Sequence, residues 1–111
     1  MVRYYKTTGI YADSNLLKVE VYYNKGVGYE ARVTPCSKGN GFFSVVYDTE
    51  YYQYYNTLTC MLVPCSRKSA KEEAEACSLM EKKLDWLLEQ YVIMAENKGG
   101  RHIEIVGELE D

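Results

Sequence analysis

The fold is decided by the stretch Lys18-Val19-Glu20-Val21-Tyr22-Tyr23-Asn24-Lys25-Gly26-Val27-Gly28-Tyr29-Glu30-Ala31-Arg32-Val33-Thr34. Apolar and polar residues alternate on both sides of its centre, which is typical of strands with one buried face. One face of the first strand carries Val19, Val21 and Tyr23, and the same face of the second carries Tyr29, Ala31 and Val33. The Asn and Gly residues between them tolerate the positive φ of a tight turn. The stretch therefore predicts an antiparallel hairpin.

Other strands are predicted on both sides of the hairpin. Pro35 has no N–H to donate, so we expect it to end the second strand or to lie at a sheet edge. Further strands are predicted over residues 2–8, 42–47 and 57–63, with a turn at 37–41 and an open choice between a helical turn and an extended segment at 48–56.

The second half of the chain predicts one long amphipathic helix over about residues 67–98. Ser69-Ala70-Lys71-Glu72 matches a capping box, and Gly99-Gly100 is a stop signal. The stripe that should lie on the sheet comprises Ala70, Ala74, Cys77, Met80, Leu84, Leu87, Leu88, Tyr91 and Ala95. Alternation of Ile103 and Ile105 predicts a short final strand at about 102–106.

These elements predict an α+β fold in a single domain, residues 1–111. An antiparallel sheet of about four to five strands, all within residues 2–63, packs on the C-terminal-half helix, and the final strand follows. A chain of 111 residues has the usual length of one domain.

Cysteine usage predicts a cytoplasmic protein with reduced thiols. The N-terminus lacks the apolar segment of a signal peptide, and no stretch is long and apolar enough for a membrane span. In a reducing compartment Cys36, Cys60, Cys65 and Cys77 are expected to act as small buried hydrophobes. Cys60 and Cys65 lack the close spacing of a structural zinc pair, so we expect no metal and no cofactor.

Several of these turns and strands resemble a group of small uncharacterised proteins found on phages and mobile elements of Gram-positive gut bacteria. The shared features are Lys18-Val19-Glu20-Val21-Tyr22-Tyr23-Asn24-Lys25-Gly26, Gly28-Tyr29, Val33-Thr34-Pro35, Gly41-Phe42 and the helix start Arg67-Lys68-Ser69. The resemblance covers about residues 18–98. It implies a mobile-element setting and an accessory role, and it carries over no catalytic residue.

The net charge of −3 excludes non-specific electrostatic binding of nucleic acid, which requires an excess of basic residues. Locally, Arg67, Lys68 and Lys71 place positive charge at the helix start, where the macrodipole is already positive. Basic side chains beside free amides make a candidate site for a phosphate or a carboxylate. The alternative is that these charged side chains are simply solvated, on a helix that tertiary packing stabilises.

Tyrosine is unusually abundant, with 12 residues, and a dense cluster precedes the last strand of the sheet. The cluster comprises Tyr47, Tyr51, Tyr52, Tyr54 and Tyr55. Such a group can stack single-stranded bases or form a protein-binding hot spot. Ordinary packing of the sheet and its crossover is the alternative.

The helix carries a second apolar patch opposite its main stripe. Leu79, Trp86 and Ile93 recur every seven residues, and Glu75 and Lys82 flank them with opposite charges. A helix on one sheet leaves such a patch in water, and exposed patches with Trp mark interfaces. We expect an antiparallel homodimer, unless another segment of the chain covers the patch.

Catalysis has little support in the sequence. His102 is the single histidine, and no nucleophile motif or phosphate-binding glycine loop is present. The sequence therefore favours a non-enzymatic binding or accessory protein that acts through contacts with itself or with another protein, without a membrane partner. A single-stranded nucleic-acid binder is the alternative, and a small enzyme comes third.

Overall fold

The computed structural model describes residues 1–11, 14–39, 42–45, 57–99 and 103–109. The elements run in the order β1 (Val2–Tyr11), β2 (Ser14–Asn24), β3 (Gly28–Gly39), β4 (Phe42–Val45), β5 (Leu58–Pro64), α1 (Ala70–Gly99) and β6 (Ile105–Glu108). The predicted α+β class is confirmed, with one antiparallel sheet and one helix in the second half of the chain.

The sheet has the strand order β4-β3-β2-β1-β6, and β5 also pairs with β3. β3 is long enough for two partners on one edge, because β5 pairs with its residues 28–33 and β4 with its residues 36–39. β6 adds to the outer edge of β1. It begins at Ile105, so the final strand lies slightly later than the predicted 102–106.

The central hairpin has the register that the alternation predicts. Val19 lies opposite Val33, and Val21 lies opposite Ala31. In the turn Gly26 has a φ of 80°, and the Val27 amide donates to the Asn24 carbonyl at 2.9 Å. Gly28 follows with a φ of 138°, and a Cβ there would lie 2.7 Å from the Cys65 amide nitrogen. Only glycine therefore lets the hairpin approach the end of β5.

Pro35 does not end β3, so the first of the two predicted alternatives is wrong and the second, a position at an unpaired edge, applies locally. The strand continues to Gly39, and Pro35 is buried opposite Leu17 of β2. On the edge of β3 away from β2, Pro35 lies between the residues that pair with β5 and those that pair with β4. A residue without an N–H is tolerated on this edge, because neither β4 nor β5 pairs with β3 at Pro35.

A β-bulge turns two successive side chains of β5 toward the core. Val63 pairs with Tyr29 and Met61 with Glu30, so Leu62 is the extra residue. An extra residue breaks the alternation of strand faces. Leu62 and Val63 are accordingly both buried, whereas Met61 is exposed.

α1 packs its apolar stripe on β2, β3 and β5 and closes the core. The buried helix residues are Ala76, Met80, Leu87, Leu88, Tyr91 and Ala95. The prediction that the N-terminal residues of the stripe lie on the sheet is wrong, because Ala70 and Ala74 are exposed. Cys77 and Leu84 are only half-buried. Residues 70–75 precede the first fully buried position, Ala76, so the burial starts later than the apolar spacing suggests.

Candidate binding surfaces

The helix begins at Ala70 rather than at residue 67, because Ser69 is its N-cap. The Ser69 Oγ accepts from the Glu72 amide at 3.5 Å, and the Glu73 amide donates to the Ser69 carbonyl at 2.9 Å. A hydrogen bond from Ser69, with a second from its own backbone amide, holds the pKa of the Glu72 carboxyl below its ordinary value. The serine half of the predicted capping box is therefore present, whereas the Ser69 amide donates to the Tyr29 hydroxyl at 3.1 Å and not to Glu72.

The candidate anion site lies at this helix start. Arg67, Lys68 and Lys71 are exposed, and the Lys68 Nζ lies 5.6 Å from the centroid of the Tyr23 ring. The amides of Ser69 and Glu72 already donate to hydroxyl oxygens of the chain. An anion here would have to bind mainly through side chains, and the anion site stays a prediction.

The outer helix face, defined by Leu79, Trp86 and Ile93, is the surface of α1 that points away from the sheet. Trp86 is 50% exposed and Ile93 is 45% exposed. Leu79 is half-buried and packs against the edge of the core. Two of the three predicted residues therefore present large apolar surface to water.

Contacts with the sheet hold α1 in the orientation that exposes this face. Tyr91 and Leu87 are fully buried on the opposite side of the helix. Arg3 of β1 forms an ion pair with Glu81 and lies 3.8 Å from a carboxylate oxygen of Glu108. The first pair ties the middle of α1 to β1 and the second ties β1 to β6, and the buried side chains of Leu87 and Tyr91 leave Trp86 on the outer side of the helix.

The tyrosine cluster of residues 47, 51, 52, 54 and 55 lies outside the described residues, and so does His102. Base stacking and a protein-binding role for these tyrosines therefore remain predictions. The described residues locate a different candidate surface, which the sequence reasoning did not identify.

This second surface, the sheet cleft, lies on the face of the sheet turned away from α1. Strand register places it there, because its residues alternate with the core positions of β2 and β3. The cleft has a volume of about 460 Å³ and is lined by Lys18, Glu20, Tyr22, Arg32, Thr34, Thr57 and Thr59. Threonine and charged residues thus make up most of its described lining.

Two ion pairs organise the cleft. The Arg32 guanidinium donates from Nε and Nη2 to one oxygen of Glu30, at 2.9 and 2.8 Å. It also lies over the Tyr22 ring, 3.5 Å from the centroid. The Lys18 ammonium lies 3.3 Å from the Glu20 carboxylate. These four charges cancel, so the described cleft is not the basic face that a nucleic-acid site requires.

Two hydroxyls in the cleft walls lack partners within the described part of the chain. The Oγ1 atoms of Thr34 and Thr57 are buried and form no hydrogen bond there. Thr34 as a whole is only 5% exposed. A buried polar atom without a partner costs stability, so such atoms call for an explanation.

The alternation in the hairpin could have located this surface. If the odd-numbered positions of β2 and β3 face the core, Lys18, Glu20 and Arg32 must share the other face. The signal was present, but charged residues at alternate positions ordinarily indicate a solvated face. Only the pairing of β5 with β3 adds the wall that contains Thr59.

The remaining expectations concern thiols, metals and membranes. None of the four cysteines, all of which lie in the described ranges, forms a disulfide; Cys36 is buried and the other three are half-buried. Within the described ranges no three His, Cys, Asp or Glu side chains are grouped to hold a metal ion. No helix in the described ranges combines the length and the apolarity needed to cross a membrane. Comparisons with protein-family models, curated proteins and solved structures found no match.

Proposed function

We propose that the protein is a non-enzymatic binding protein that acts through protein contacts and pairs with a second copy of itself. The observation that carries this proposal is the exposure of Trp86 and Ile93 on the outer helix face. Large apolar side chains in water cost free energy, and clusters of them characterise contact surfaces. The resemblance to mobile-element proteins supports an accessory role, and four cysteines without a disulfide support a cytoplasmic location.

The spacing of the outer helix face favours an antiparallel pair. Leu79 and Ile93 lie at equal distances along the chain on either side of Trp86. A two-fold axis at Trp86 would stack that residue on its copy and bring Leu79 opposite Ile93 of the second copy. Every apolar residue of the outer helix face would then contact an apolar residue of the second copy.

The charges beside the patch fit the same arrangement. Lys82 lies about one turn before Trp86 and Glu89 about one turn after it, on the same flank of the helix. Both side chains are exposed. An antiparallel pair brings each Lys82 close to Glu89 of the other copy, whereas a parallel pair would place the charged residues of the two copies on opposite flanks of the contact.

The expected dimer is weak. Because Trp86 and Ile93 are about half exposed and Leu79 is already half-buried, full burial contributes on the order of 2–4 kcal/mol per chain. The loss of translational and rotational freedom offsets much of this gain. We therefore expect dissociation in the micromolar range.

Sedimentation equilibrium and light scattering over a concentration series test the proposal. The Trp86→Glu variant should halve the mass seen at high micromolar concentration and leave the far-ultraviolet circular dichroism unchanged. The matched control is Val27→Glu, which alters an equally exposed apolar residue in the hairpin turn and should leave the mass unchanged. A wild-type protein that is monomeric at high micromolar concentration contradicts the homodimer. A Trp86→Glu variant that unfolds would instead show that this side chain belongs to the core.

A further inference from the structure

The outer edge of β5 is a surface that the proposed dimer does not use. The inner edge of this strand pairs with β3, and within the described ranges no strand pairs with the outer one. Thr59 and Met61 of β5 are both exposed. An unpaired strand edge presents amides and carbonyls that can pair with another strand. This edge is therefore a candidate contact surface in addition to the outer helix face.

Hydrogen bonds in the sheet show which residues of β5 direct their backbone groups outward. The Val21 amide donates to the Met1 carbonyl at 3.1 Å, so the backbone groups of Val21 face β1 and not β3. Ala31 lies opposite Val21, and its backbone groups therefore point away from β2, toward Cys60 of β5. Neighbouring residues of a strand point to opposite edges. The two residues that flank Cys60 thus direct their amides and carbonyls away from β3.

β5 lacks the features that protect the opposite edge of the sheet, which β6 forms. The outer edge of β6 is flanked by the exposed carboxylates of Glu104 and Glu108, and Val106 is the extra residue of a bulge. Charges and bulges discourage pairing at an edge. β5 carries no charged residue, and its own bulge and its proline come only after Met61. The first four residues of β5 thus contain no such obstacle.

The chemistry of this edge favours an uncharged strand as its partner. A strand that pairs here lies opposite Thr59, Cys60 and Met61, so a charged residue on it would find no opposite charge. β5 itself is uncharged, whereas β1, β2, β3 and β6 all carry charged residues. A second copy of β5 therefore fits the edge, because two identical antiparallel strands pair about a two-fold axis without like charges.

The positions of the outward groups fix the register of such a pair. Thr59 and Met61 direct backbone groups outward, and Cys60 lies midway between them. A two-fold axis at Cys60 places each Thr59 opposite Met61 of the other copy, where their amides and carbonyls form about four hydrogen bonds. Cys60 then lies opposite its own copy in a pair without backbone hydrogen bonds, with the two Cα atoms about 4.5 Å apart.

We propose that the outer edge of β5 pairs with β5 of a second copy, antiparallel and centred on Cys60, so that the sheets of two chains join. The contact is short and therefore weak beside a standard interface of about 800 Å² per partner. It uses a different surface from the outer helix face, and each contact forms without the other. A chain that makes both contacts joins two neighbours rather than one.

Cross-linking of thiols tests this register, because the expected Cα separation suits a disulfide between the two Cys60 residues. Diamide is the oxidant, and it accepts the two electrons and two protons that the thiols lose. Three proteins are compared, which keep Cys60, Cys65 or Cys77 and have alanine at the other two positions; all three thiols are half-buried, and the buried Cys36 stays in place. We expect the protein that keeps Cys60 to form a covalent dimer about tenfold faster than the others.

The same comparison is repeated with Trp86→Glu, which removes the contact through the outer helix face. The preference for Cys60 should persist in this background, because the two contacts use different surfaces. A failure of the proposed helix dimer would therefore leave the result unchanged, and a failure of the β5 contact would leave the helix dimer untouched.

Variants of the two outward residues sharpen the test in the protein that keeps Cys60. Thr59→Pro removes an outward amide that does not bond β3, so the chain should fold while the cross-linking rate falls about tenfold. Thr59→Val is the matched control, since it keeps the amide and should leave the rate unchanged. Thr59→Lys with Met61→Lys places like charges opposite each other and should slow the reaction, whereas Thr59→Lys with Met61→Glu should not.

Three results would overturn the proposal. The first is an equal rate for the three single-thiol proteins, which would leave the edge to a strand of another protein. The second is an unchanged rate in a Thr59→Pro variant whose circular dichroism is that of the folded protein. The third is an equal rate in the two charged double variants, which decide alone if Thr59→Pro does not fold.

Discussion

The Tyr29 hydroxyl bonds both backbone groups of Ser69, since it accepts from the amide at 3.1 Å and donates to the carbonyl at 3.2 Å. A side chain of the central hairpin thereby holds the N-cap of α1. The sheet and the helix are joined at this point by polar contacts as well as by the apolar core.

The first prediction follows from this contact. Tyr29→Phe removes both hydrogen bonds and leaves the ring in place, so the free energy of unfolding should fall by about 1–2 kcal/mol. Urea denaturation followed by circular dichroism measures the change. Tyr22→Phe is the control, because Tyr22 is exposed on the other face of the sheet. An equal loss in both variants would contradict a capping role for Tyr29.

The second prediction concerns pH. The hydrogen bond from Ser69 lowers the pKa of Glu72 below its ordinary value of 4.5, so the ionised carboxylate is favoured in the folded state. This contribution to stability is present above the ordinary pKa and is lost as the pH falls through the folded one. Glu72→Gln keeps a capping side chain but has no carboxyl group to titrate. In this variant the free energy of unfolding should therefore fall less steeply as the pH is lowered.

Denaturation curves recorded from neutral pH to about pH 3 for the wild type and Glu72→Gln give the difference directly. Glu75→Gln is the matched control, since Glu75 is an exposed carboxylate of the same helix. The capping interpretation fails if the two variants lose the same pH dependence.

The third prediction tests the antiparallel register of the proposed dimer. Lys82→Glu and Glu89→Lys each place like charges across the two-fold axis, in two equivalent contacts, and should each raise the dissociation constant about three- to tenfold. The double variant restores opposite charges and should dimerise like the wild type. Sedimentation equilibrium at low salt makes the comparison. A double variant no tighter than the single variants would rule out this register.

The fourth prediction concerns the buried hydroxyl of Thr34. Thr34→Val should raise the free energy of unfolding by about 1 kcal/mol, because it removes a buried polar atom that lacks a partner in the described chain. Thr59→Val is the matched control in the same cleft, and its exposed side chain should give little change. Destabilisation by Thr34→Val would show that the hydroxyl is already satisfied within the chain.

The hairpin is predictable from the sequence because its information is local. A period of two on both strands, with Asn24 and Gly26 between them, fixes which residues face each other. The serine half of the capping box is local as well, since the Ser69 Oγ accepts from the Glu72 amide. Both features need no knowledge of distant parts of the chain.

Other features depend on contacts that local pattern does not encode. Pro35 is accommodated inside β3 because β5 and β4 divide the adjacent edge between them, which is a property of the whole sheet. Leu62 is buried through a bulge, and the burial of α1 starts at Ala76 rather than at the first apolar residue. The cleft was missed for the same reason, since its outer wall comes from β5.

The pairing of β1 with β6 has a consequence for the order of folding. β1 is synthesised before the other described strands, but the strand that covers its outer edge follows the 30-residue helix. Until β6 is synthesised, that edge is a row of unpaired amides and carbonyls, which is a template for association between nascent chains. Such non-local closure is also slow. We therefore expect newly made chains to associate most readily in the interval before β6 arrives.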